Sequence, residues 1–467
     1  MSGNGNATPT PQELVEAGLA ASTADGCVVL VDASTSANLR WANNTLTTNG
    51  AMRGGDLTAI SIVDGARGTA SASVSRSGAT LDAVRTVVAA ADAAAREAEP
   101  AEDAAPLVEG GAHADWDDPP AETSIAVFDR FAPALGEAFG RARGAGRILY
   151  GYVEHTVDTV YLGSSTGLRR RHVQPTGHVG VTGKSADLTR SAWVGAATRD
   201  FADVDALALD AELERRLGWA ERSLDLPAGR YPTILPPTAV ADLMIYAYWV
   251  AGGRDAHEGQ TVFSKPGGGT RVGERLSSSP VRVYSDPTEP GLECAPFVVA
   301  SSSSSEASVF DNGLPLARTD WIADGTLEAL IQTRHSAALT GLPVTPGVDN
   351  LVVAVDGATG TVDDVVAATD DGLLVTCLWY IREVDPQTLL LTGLTRDGVY
   401  RVEGGEITGA VNNFRFNESP VALLDRFTAA SATAPSFSRE WGDYFPRTAT
   451  PALLVPDFNM SSVSQAQ

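Results

Sequence analysis

The stretch Gly229-Arg-Tyr-Pro-Thr-Ile-Leu-Pro-Pro-Thr-Ala-Val-Ala-Asp-Leu-Met-Ile-Tyr-Ala-Tyr-Trp-Val250 divides the chain into two parts of different character. Residues 231–235 favour a strand, and Pro236 and Pro237 end it because proline has no N–H to donate to a ladder. Thr238 then offers a hydroxyl N-cap, which predicts a helix over Ala239–Val250. The boundary is predicted near Leu224–Arg230, with a C-terminal domain over 226–467.

Beyond residue 250 the sequence favours β structure, interrupted by Gly-rich and Ser-rich loops at 266–269 and 301–305. The strand-like runs are Val281–Tyr284, Leu351–Val355, Leu373–Ile381, Leu389–Thr395, Gly398–Val402 and Ala410–Phe416. Apolar and β-branched residues dominate these runs, and turn residues bound them. The second half is therefore predicted to be β-rich, with closure into a barrel as one arrangement.

Before residue 226 the sequence alternates between helical and strand-like segments. The spacing of apolar residues predicts helices over Pro11–Ala24, Leu81–Ala98, Phe128–Ala145 and Val204–Leu217. β-rich runs include Cys27–Val31, Leu57–Val63 and Leu149–Val181, the last with turns at 163–167 and 175–177. Residues 99–122 are acidic and Pro-rich, which predicts an exposed linker. The parts 1–98 and 123–225 together predict one α+β domain, an antiparallel sheet with helices.

Composition excludes several classes of partner. The chain has 34 Lys and Arg against 58 Asp and Glu, a formal charge of −24. Phosphate backbones and anionic membrane surfaces both require concentrated positive charge, so we expect neither nucleic acid nor membrane as a partner. Cys27, Cys294 and Cys377 are scattered and form no CxxC pair. With no signal-peptide pattern in residues 1–12 and no long apolar run, the sequence predicts a cytoplasmic location.

Local motifs for catalysis are weak. The His257-Glu258 pair has no second His four residues on, so it lacks a zinc-binding HExxH pattern. Gly163-Ser-Ser-Thr-Gly167 matches GxSxG, but a second strand follows where a nucleophile elbow needs a helix. A hairpin turn is favoured over a nucleophilic Ser165. The densest group of histidines comprises His155, His172 and His178 beside Glu154, and solvated polar positions are favoured there over a metal site.

Several ordered segments together resemble the TldD/PmbA (TldE) family, once labelled modulator of DNA gyrase and now regarded as peptidase-related. The resembling segments are Asn43–Asn49 with Gly68–Ser71, Tyr161–Leu168, Arg230–Leu243, Asp286-Pro287, Ser308–Pro315, Gly393–Tyr400, Glu403–Ile407 and Asn412–Phe416. The resemblance implies an N-terminal α+β domain followed by a β-rich C-terminal domain, the same division that the residues predict.

The resemblance also implies where zinc would be bound, and this chain departs from it there. The catalytic TldD member carries HExxxH on the helix after the Pro-interrupted strand, with a Cys near the C-terminus as third ligand. An ungapped match from Pro232 places Ile245 and Tyr246 at the first His and the Glu, and Val250 at the second His. No Cys follows Cys377, which is expected to be a small buried residue within a strand. We therefore expect no cofactor in this chain and zinc in a TldD-type partner.

This departure resembles the metal-free TldE/PmbA type of member, which pairs with a TldD subunit to form the peptidase. It implies a non-catalytic subunit that helps to enclose a chamber for unfolded or extended peptides, which pair as an extra strand. The residues expected to contact substrate are Phe310, Asp311, Asn312 and Gly313, followed by Asn412 and Arg415. The alternative is a peptide-binding or scaffold protein that self-associates, for example as a homodimer. A serine hydrolase using Ser165 is a third hypothesis.

Overall fold

The computed structural model describes residues 9–78 and 80–464. Its helices are α1 Pro11–Ala21, α2 Leu81–Glu97, α3 Phe131–Gly144, α4 Ala206–Trp219, α5 Pro237–Trp249, α6 Gly253–His257, α7 Arg334–Thr340, α8 Val362–Ala367 and α9 Pro420–Leu423. Short 3₁₀ turns lie at Ile125–Phe128 and Val309–Asp311. No helix among these residues is long and apolar enough to span a bilayer.

The first half contains one six-stranded antiparallel sheet in the order β3-β2-β1-β4-β5-β6. Its strands are β1 Gly26–Ala42, β2 Thr45–Gly65, β3 Gly68–Ser77, β4 Arg147–Ser164, β5 Arg169–Ser185 and β6 Ser191–Thr198. β1 and β2 pair along almost their whole lengths. Asn43 and Asn44 both have positive φ, as the two-residue turn of a type I′ hairpin requires.

Side chains alternate between the two faces of this sheet. Val31 packs with α1 and α2, and Leu39, eight residues along β1, packs with α3 and α4. An even spacing puts both on one face, so all four helices cover that face. On the other face, Val28 and Leu30 join a cluster with Phe297 and Phe310 of the second half. Farther along, this second face is polar and only partly covered.

The second half contains two sheets with α5 between them. The six-stranded sheet has the order β11-β10-β9-β12-β21-β20, and the larger sheet has the order β14-β15-β18-β22-β8-β13-β16-β17-β7, with β19 paired to β22. The strands are β7 Ser223–Leu224, β8 Gly229–Leu235, β9 Val281–Ser285, β10 Thr319–Ala323, β11 Thr326–Leu327, β12 Leu351–Val355, β13 Asp371–Val375, β14 Leu378–Asp385, β15 Leu390–Thr395, β16 Val399–Glu403, β17 Glu406–Val411, β18 Phe414–Glu418, β19 Ala429–Ala430, β20 Ala434–Ser436, β21 Thr448–Thr450 and β22 Leu453–Val463. The α+β class and the β-rich second half are confirmed. In the described residues the larger sheet stays open, ending at β14 and β7, so the barrel arrangement is wrong.

Several local predictions also need correction. The turn predicted at 175–177 is strand: β5 runs through it because both neighbouring strands pair there. The predicted linker at 99–122 has little regular structure, but it packs on the first sheet. Trp116 is buried with its ring edge-on to Tyr161, and the His113 N–H donates to the Arg169 carbonyl. Apolar residues within this acidic segment make the packing contacts, while most of its other residues are exposed.

Candidate functional site

Helix α5 begins at proline and is buried along most of its length. Pro236 occupies the N-cap position with no side-chain hydrogen bond, so Thr238 lies inside the helix and is not its cap. The helix is apolar on nearly all sides, as expected of a helix enclosed between two sheets. Its one charged residue, Asp242, is fully buried.

The positions aligned with the family zinc motif lie on or just past α5 and form packing contacts. Ile245 is fully buried, and Val250 follows the helix and packs partly buried against the same core. Tyr246 lies edge-on to Trp441, with ring centroids 5.8 Å apart, and Trp249 contacts the same indole at 5.2 Å. Isoleucine and valine have no ligating atom, so this position does not fit zinc.

No other part of the described chain assembles a metal-binding group of three or more His, Cys, Asp or Glu side chains. Cys377 lies between β13 and β14, not within a strand as predicted, and its thiol donates to the Arg396 carbonyl. Burial raises the pKa of this thiol to about 12, which disfavours the thiolate needed for metal binding.

The Asp242 carboxylate organises a turn that reaches from α5 to the first sheet. Oδ1 accepts hydrogen bonds from the Ser438 hydroxyl at 2.6 Å and from the N–H groups of Arg439 and Glu440 at 2.7 and 3.1 Å. Oδ2 accepts from the Leu378 N–H at 2.8 Å. Burial raises the pKa of Asp242 to about 7, although all four hydrogen bonds oppose that shift. This carboxylate therefore fixes residues 438–440 against the start of β14.

Glu440, in the same turn, binds the exposed edge of the larger sheet. Its side chain is 9 % exposed, and its two oxygens accept from the N–H groups of Tyr380 and Ile381 at 3.0 and 3.1 Å. Tyr380 has φ 51°, a left-handed conformation that is costly for an aromatic residue, and its side chain is exposed. The pairing of β14 with β15 shifts register at this point. Glu440 thus stabilises an irregular strand edge and directs Tyr380 toward solvent.

Five planar side chains form a continuous stack, called here the planar stack, from the first sheet to β14. They are His178, Phe437, Trp193, Arg439 and Trp379, in spatial order. His178 and Phe437 are nearly parallel at 5.6 Å, and the Arg439 guanidinium lies 4.6 Å from the Trp193 ring and 4.5 Å from the Trp379 ring. Burial lowers the pKa of His178, against the opposing influence of Asp443 and Glu154, which favours the neutral ring.

The planar stack borders two cavities between the halves of the molecule. One, of about 510 Å³, is bounded by Tyr152, His178, Arg439 and Asp443, among others. The other, of about 840 Å³, is also bounded by Phe437, together with Arg199, Glu293 and Arg447, among others. Clefts between domains are common ligand sites. The residues bordering these clefts carry both charges and aromatic rings, which suits them to bind polar peptide groups.

The histidines predicted to be solvated are less exposed than expected. His155 is buried, with its ring nitrogens bonded to the Thr123 hydroxyl and the Arg199 carbonyl. His172 and His178 point to the opposite face of the sheet, which explains why the three do not converge. Ser165 lies in the hairpin turn between β4 and β5, where its hydroxyl accepts from the Cys27 N–H, as the hairpin interpretation predicts.

The loop predicted to contact substrate, Phe310–Gly313, lies inside the molecule. Phe310 is fully buried against the first sheet, and Asp311 accepts from the N–H and the guanidinium of Arg334. The Asn312 amide bonds both the N–H and the carbonyl of Ala300, and Gly313 N–H donates to the Val298 carbonyl. An Asn-Gly turn can expose its backbone, but here the Asn312 side chain folds back onto the chain. The loop has no open surface in this structure. Its role in contacting substrate stays a prediction.

Asn412 and Arg415 lie apart from that loop. Asn412 borders a polar cavity of about 1060 Å³ beside Lys184 and Arg190, and its side-chain oxygen accepts from the Leu226 N–H. Arg415 is exposed on β18. The structure thus does not bring the six predicted residues into one site. Sequence reasoning missed Asp242, Arg439 and the two tryptophans. The one signal in the sequence for this group was Asp242 itself, a single charged residue within an apolar helix.

Comparisons with known proteins agree with this architecture. Residues 228–462 match the family model described as the PmbA/TldA metallopeptidase C-terminal domain. The crystal structure of TldE from Thermococcus kodakarensis is similar, with a TM-score of 0.76 and 16 % identity over 96 % of this chain and 99 % of that one. A proposed modulator of DNA gyrase from Thermotoga maritima gives 0.71 and 15 % identity over 93 % and 96 %. A second such protein, from Bacteroides thetaiotaomicron, gives 0.73 and 14 % over 97 % and 98 %.

No curated protein matches the sequence. The structural likenesses, at 14–16 % identity, establish the fold, whereas the family model covers half of the chain. The match begins at the strand that carries the Pro-interrupted segment and includes α5, the turn at 438–440 and the edge strand β14. This chain therefore belongs to the TldD/PmbA family of metallopeptidase-related proteins.

Proposed function

We propose that this chain is the non-catalytic subunit of a heterodimeric TldD/TldE-type zinc peptidase, and that it helps to enclose the chamber in which a partner cleaves unfolded or extended peptides. The observation that carries the proposal is the replacement of the zinc-motif positions by Ile245, Tyr246 and Val250, which lie on or just past α5 and pack in or against the core. Without ligands and a general base at these positions, the chain needs a second subunit to supply the metal and the chemistry.

Two features support a role in holding peptide. The edge strand β14 presents exposed Tyr380 and Val384. Beyond the N–H groups of Leu378, Tyr380 and Ile381, which Asp242 and Glu440 already bind, its edge can accept an extended segment through backbone hydrogen bonds. The planar stack then places charged and aromatic groups in the clefts nearby. Backbone pairing reads no particular sequence, so broad specificity for unfolded chains is expected.

The test is affinity purification of the tagged chain from its own host, followed by mass spectrometry and hydrolysis assays on an unfolded protein. We expect a chain of similar size carrying HExxxH at equal stoichiometry, and hydrolysis that chelators abolish. Substituting the Glu of that motif in the partner should abolish hydrolysis while the complex persists. A chain that purifies alone, or only with itself, would contradict the proposal.

The alternative, a self-associating peptide-binding protein, is favoured by the same exposed strand edge, which can pair with a second copy. Mass photometry of the purified chain separates the two. A stable homodimer that binds unfolded peptide, with no zinc-binding partner, would support the alternative. In either case the charge of −24 predicts no affinity for duplex DNA at physiological salt, which fluorescence anisotropy would check.

A further inference from the structure

The Arg439 guanidinium is held in an unusual way. Its central carbon lies 4.6 Å from the ring centroid of Trp193, from the first sheet, and 4.5 Å from that of Trp379, from β14. Its backbone N–H is bound to the buried Asp242 carboxylate at 2.7 Å. The side chain is therefore fixed at both ends, and its orientation is set by rigid elements.

The hydrogen-bonding edge of this guanidinium has little to bind. All five N–H donors of a guanidinium lie in its plane, so aromatic rings stacked over the group do not bind them. Within residues 9–78 and 80–464 the guanidinium makes no hydrogen bond, and its nearest acidic oxygen, from Asp397, is 3.9 Å away. The Arg439 side chain remains 23 % exposed and borders the cavity of about 510 Å³.

We propose that Arg439 is a carboxylate-binding residue, and that it anchors a peptide in this cavity by the C-terminal carboxylate or by an acidic side chain. A planar guanidinium fits a carboxylate with two parallel hydrogen bonds, and the tryptophans keep the fork in position without competing for its donors. Arg40 borders the same cavity and adds positive charge, and Asp443 and His178 also border it. The inference rests on the proposed role in holding peptide and adds the group that is recognised.

The experiment measures binding of short peptides to the purified chain by isothermal titration calorimetry. The probes are an acetylated tetra-alanine with a free C-terminal carboxylate, the same peptide as its amide, and the amide with one internal Ala replaced by Glu. We expect the free acid, the Glu peptide or both to bind at least tenfold more tightly than the neutral amide. Which of the two gains affinity identifies the source of the carboxylate.

Arg439→Gln should remove this preference, and Arg439→Lys should reduce it because an ammonium cannot form the planar fork. The matched control is Arg275→Gln, an exposed arginine elsewhere that lies 3.6 Å from Asp324 and donates to the Ser278 carbonyl at 3.3 Å. Quenching or shift of tryptophan fluorescence on binding the acid, absent in Trp379→Leu, reports contact with the stack. Circular dichroism verifies that each variant is folded.

Equal binding of the acid, the Glu peptide and the amide, or a preference that survives Arg439→Gln, would overturn the inference. Tight binding of all three peptides would leave the peptide-holding role intact while removing Arg439 as its anchor. Co-purification of Arg439→Gln with a zinc-binding partner is expected to be unchanged. Failure of the anchor is therefore distinguishable from failure of the heterodimer.

Discussion

Two buried aspartates, one in each half of the molecule, perform the same structural task with different partners. Asp92 on α2 accepts from the hydroxyls of Ser22, Thr23 and Ser61 and from one N–H, that of Thr23. Asp242 on α5 accepts from one hydroxyl and three N–H groups. Each joins a chain segment to a strand without any cation.

Their pKa values nevertheless move in opposite directions. Burial raises the pKa of Asp92, but its hydrogen bonds outweigh burial and lower it overall. At Asp242, which lies between two sheets, burial prevails and the pKa rises to about 7. The number of donors is equal, so the depth of the carboxylate decides the outcome. Hydroxyls can also rotate to accept from a protonated acid, whereas backbone N–H groups cannot.

Replacing each aspartate by alanine is expected to cause the largest losses in the free energy of unfolding. Asp242→Ala leaves four donors without an acceptor in the core and is expected to lower the free energy of unfolding by about 3–5 kcal/mol. Asp92→Ala should cost about 2–3 kcal/mol, because its hydroxyl partners can turn to other acceptors or to water. Urea denaturation measures both. A smaller loss for Asp242→Ala than for Asp92→Ala would contradict the role of depth.

The next largest difference between the two aspartates is expected in how their contributions to stability depend on pH. The folded pKa of Asp242 lies above its unfolded value of about 3.9, so the folded state holds a proton that the unfolded state has lost. Its contribution to stability is then full below about pH 4 and declines as pH rises to about 7. The deficit of Asp242→Asn relative to wild type should therefore be larger at pH 5 than at pH 8, by about 2–3 kcal/mol.

For Asp92 the folded pKa is lowered, so its contribution is present above the unfolded pKa and is lost only as pH falls through the folded value. The deficit of Asp92→Asn should therefore be the same at pH 5 and pH 8. Denaturant titrations at the two pH values measure both variants. Parallel behaviour of the two would show that Asp242 is ionised at pH 5.

Glu440→Gln tests whether the turn fixed by Asp242 in fact stabilises the strand edge. A glutamine keeps one acceptor but presents its NH₂ group to the other backbone N–H, so we expect a loss of about 1–2 kcal/mol. The amides of Tyr380 and Ile381 should exchange with deuterium faster, while the rest of β14 is unchanged. Glu406→Gln, at an exposed position of β17, is the matched control and should alter neither stability nor exchange.

The smallest effect is expected from removing a single hydroxyl at each site. Ser438→Ala and Ser61→Ala each delete one donor, at 2.6 and 2.5 Å from the carboxylate, and should each cost about 1 kcal/mol. Both changes should raise the pKa of the neighbouring aspartate, since each lost hydrogen bond stabilised the ionised form. Carboxyl resonances followed by NMR during a pH titration would show this. An unchanged pKa at either site would show that the hydroxyl there does not stabilise the ionised aspartate.

The sequence predicts individual helices and strands of this fold well where the pattern of apolar residues is local. The start of the β-rich run at Leu149 and the apolar spacing of α2 are both confirmed, with β4 beginning at Arg147 and α2 ending at Glu97. Pro175 and Gly177 misled because turn residues are also tolerated within a paired strand when its neighbours hold the register. The resemblance identified the family, and the family model confirms it.

The candidate site is less accessible to sequence reasoning because its contacts are long-range. Glu440 meets Tyr380 across sixty residues, and Trp193 reaches Arg439 from another sheet. Nothing in the neighbourhood of Arg439 indicates that two indoles will cover it. The buried loop at Asn312 shows the converse, since its Asn-Gly pattern favours an exposed turn while its amide in fact bonds the backbone of Ala300.

The cluster that joins Val28, Leu30 and Leu162 to Phe310 has a consequence during synthesis of the chain. The ribosome makes these strand residues long before Phe310, with nearly 150 residues between Leu162 and its partner. At a synthesis rate of about 5–20 residues per second, that apolar face of the first sheet stays exposed for on the order of 10 s before Phe310 is made. Nascent chains of this length should therefore bind chaperones that hold exposed apolar strands, and should be released as residue 310 emerges.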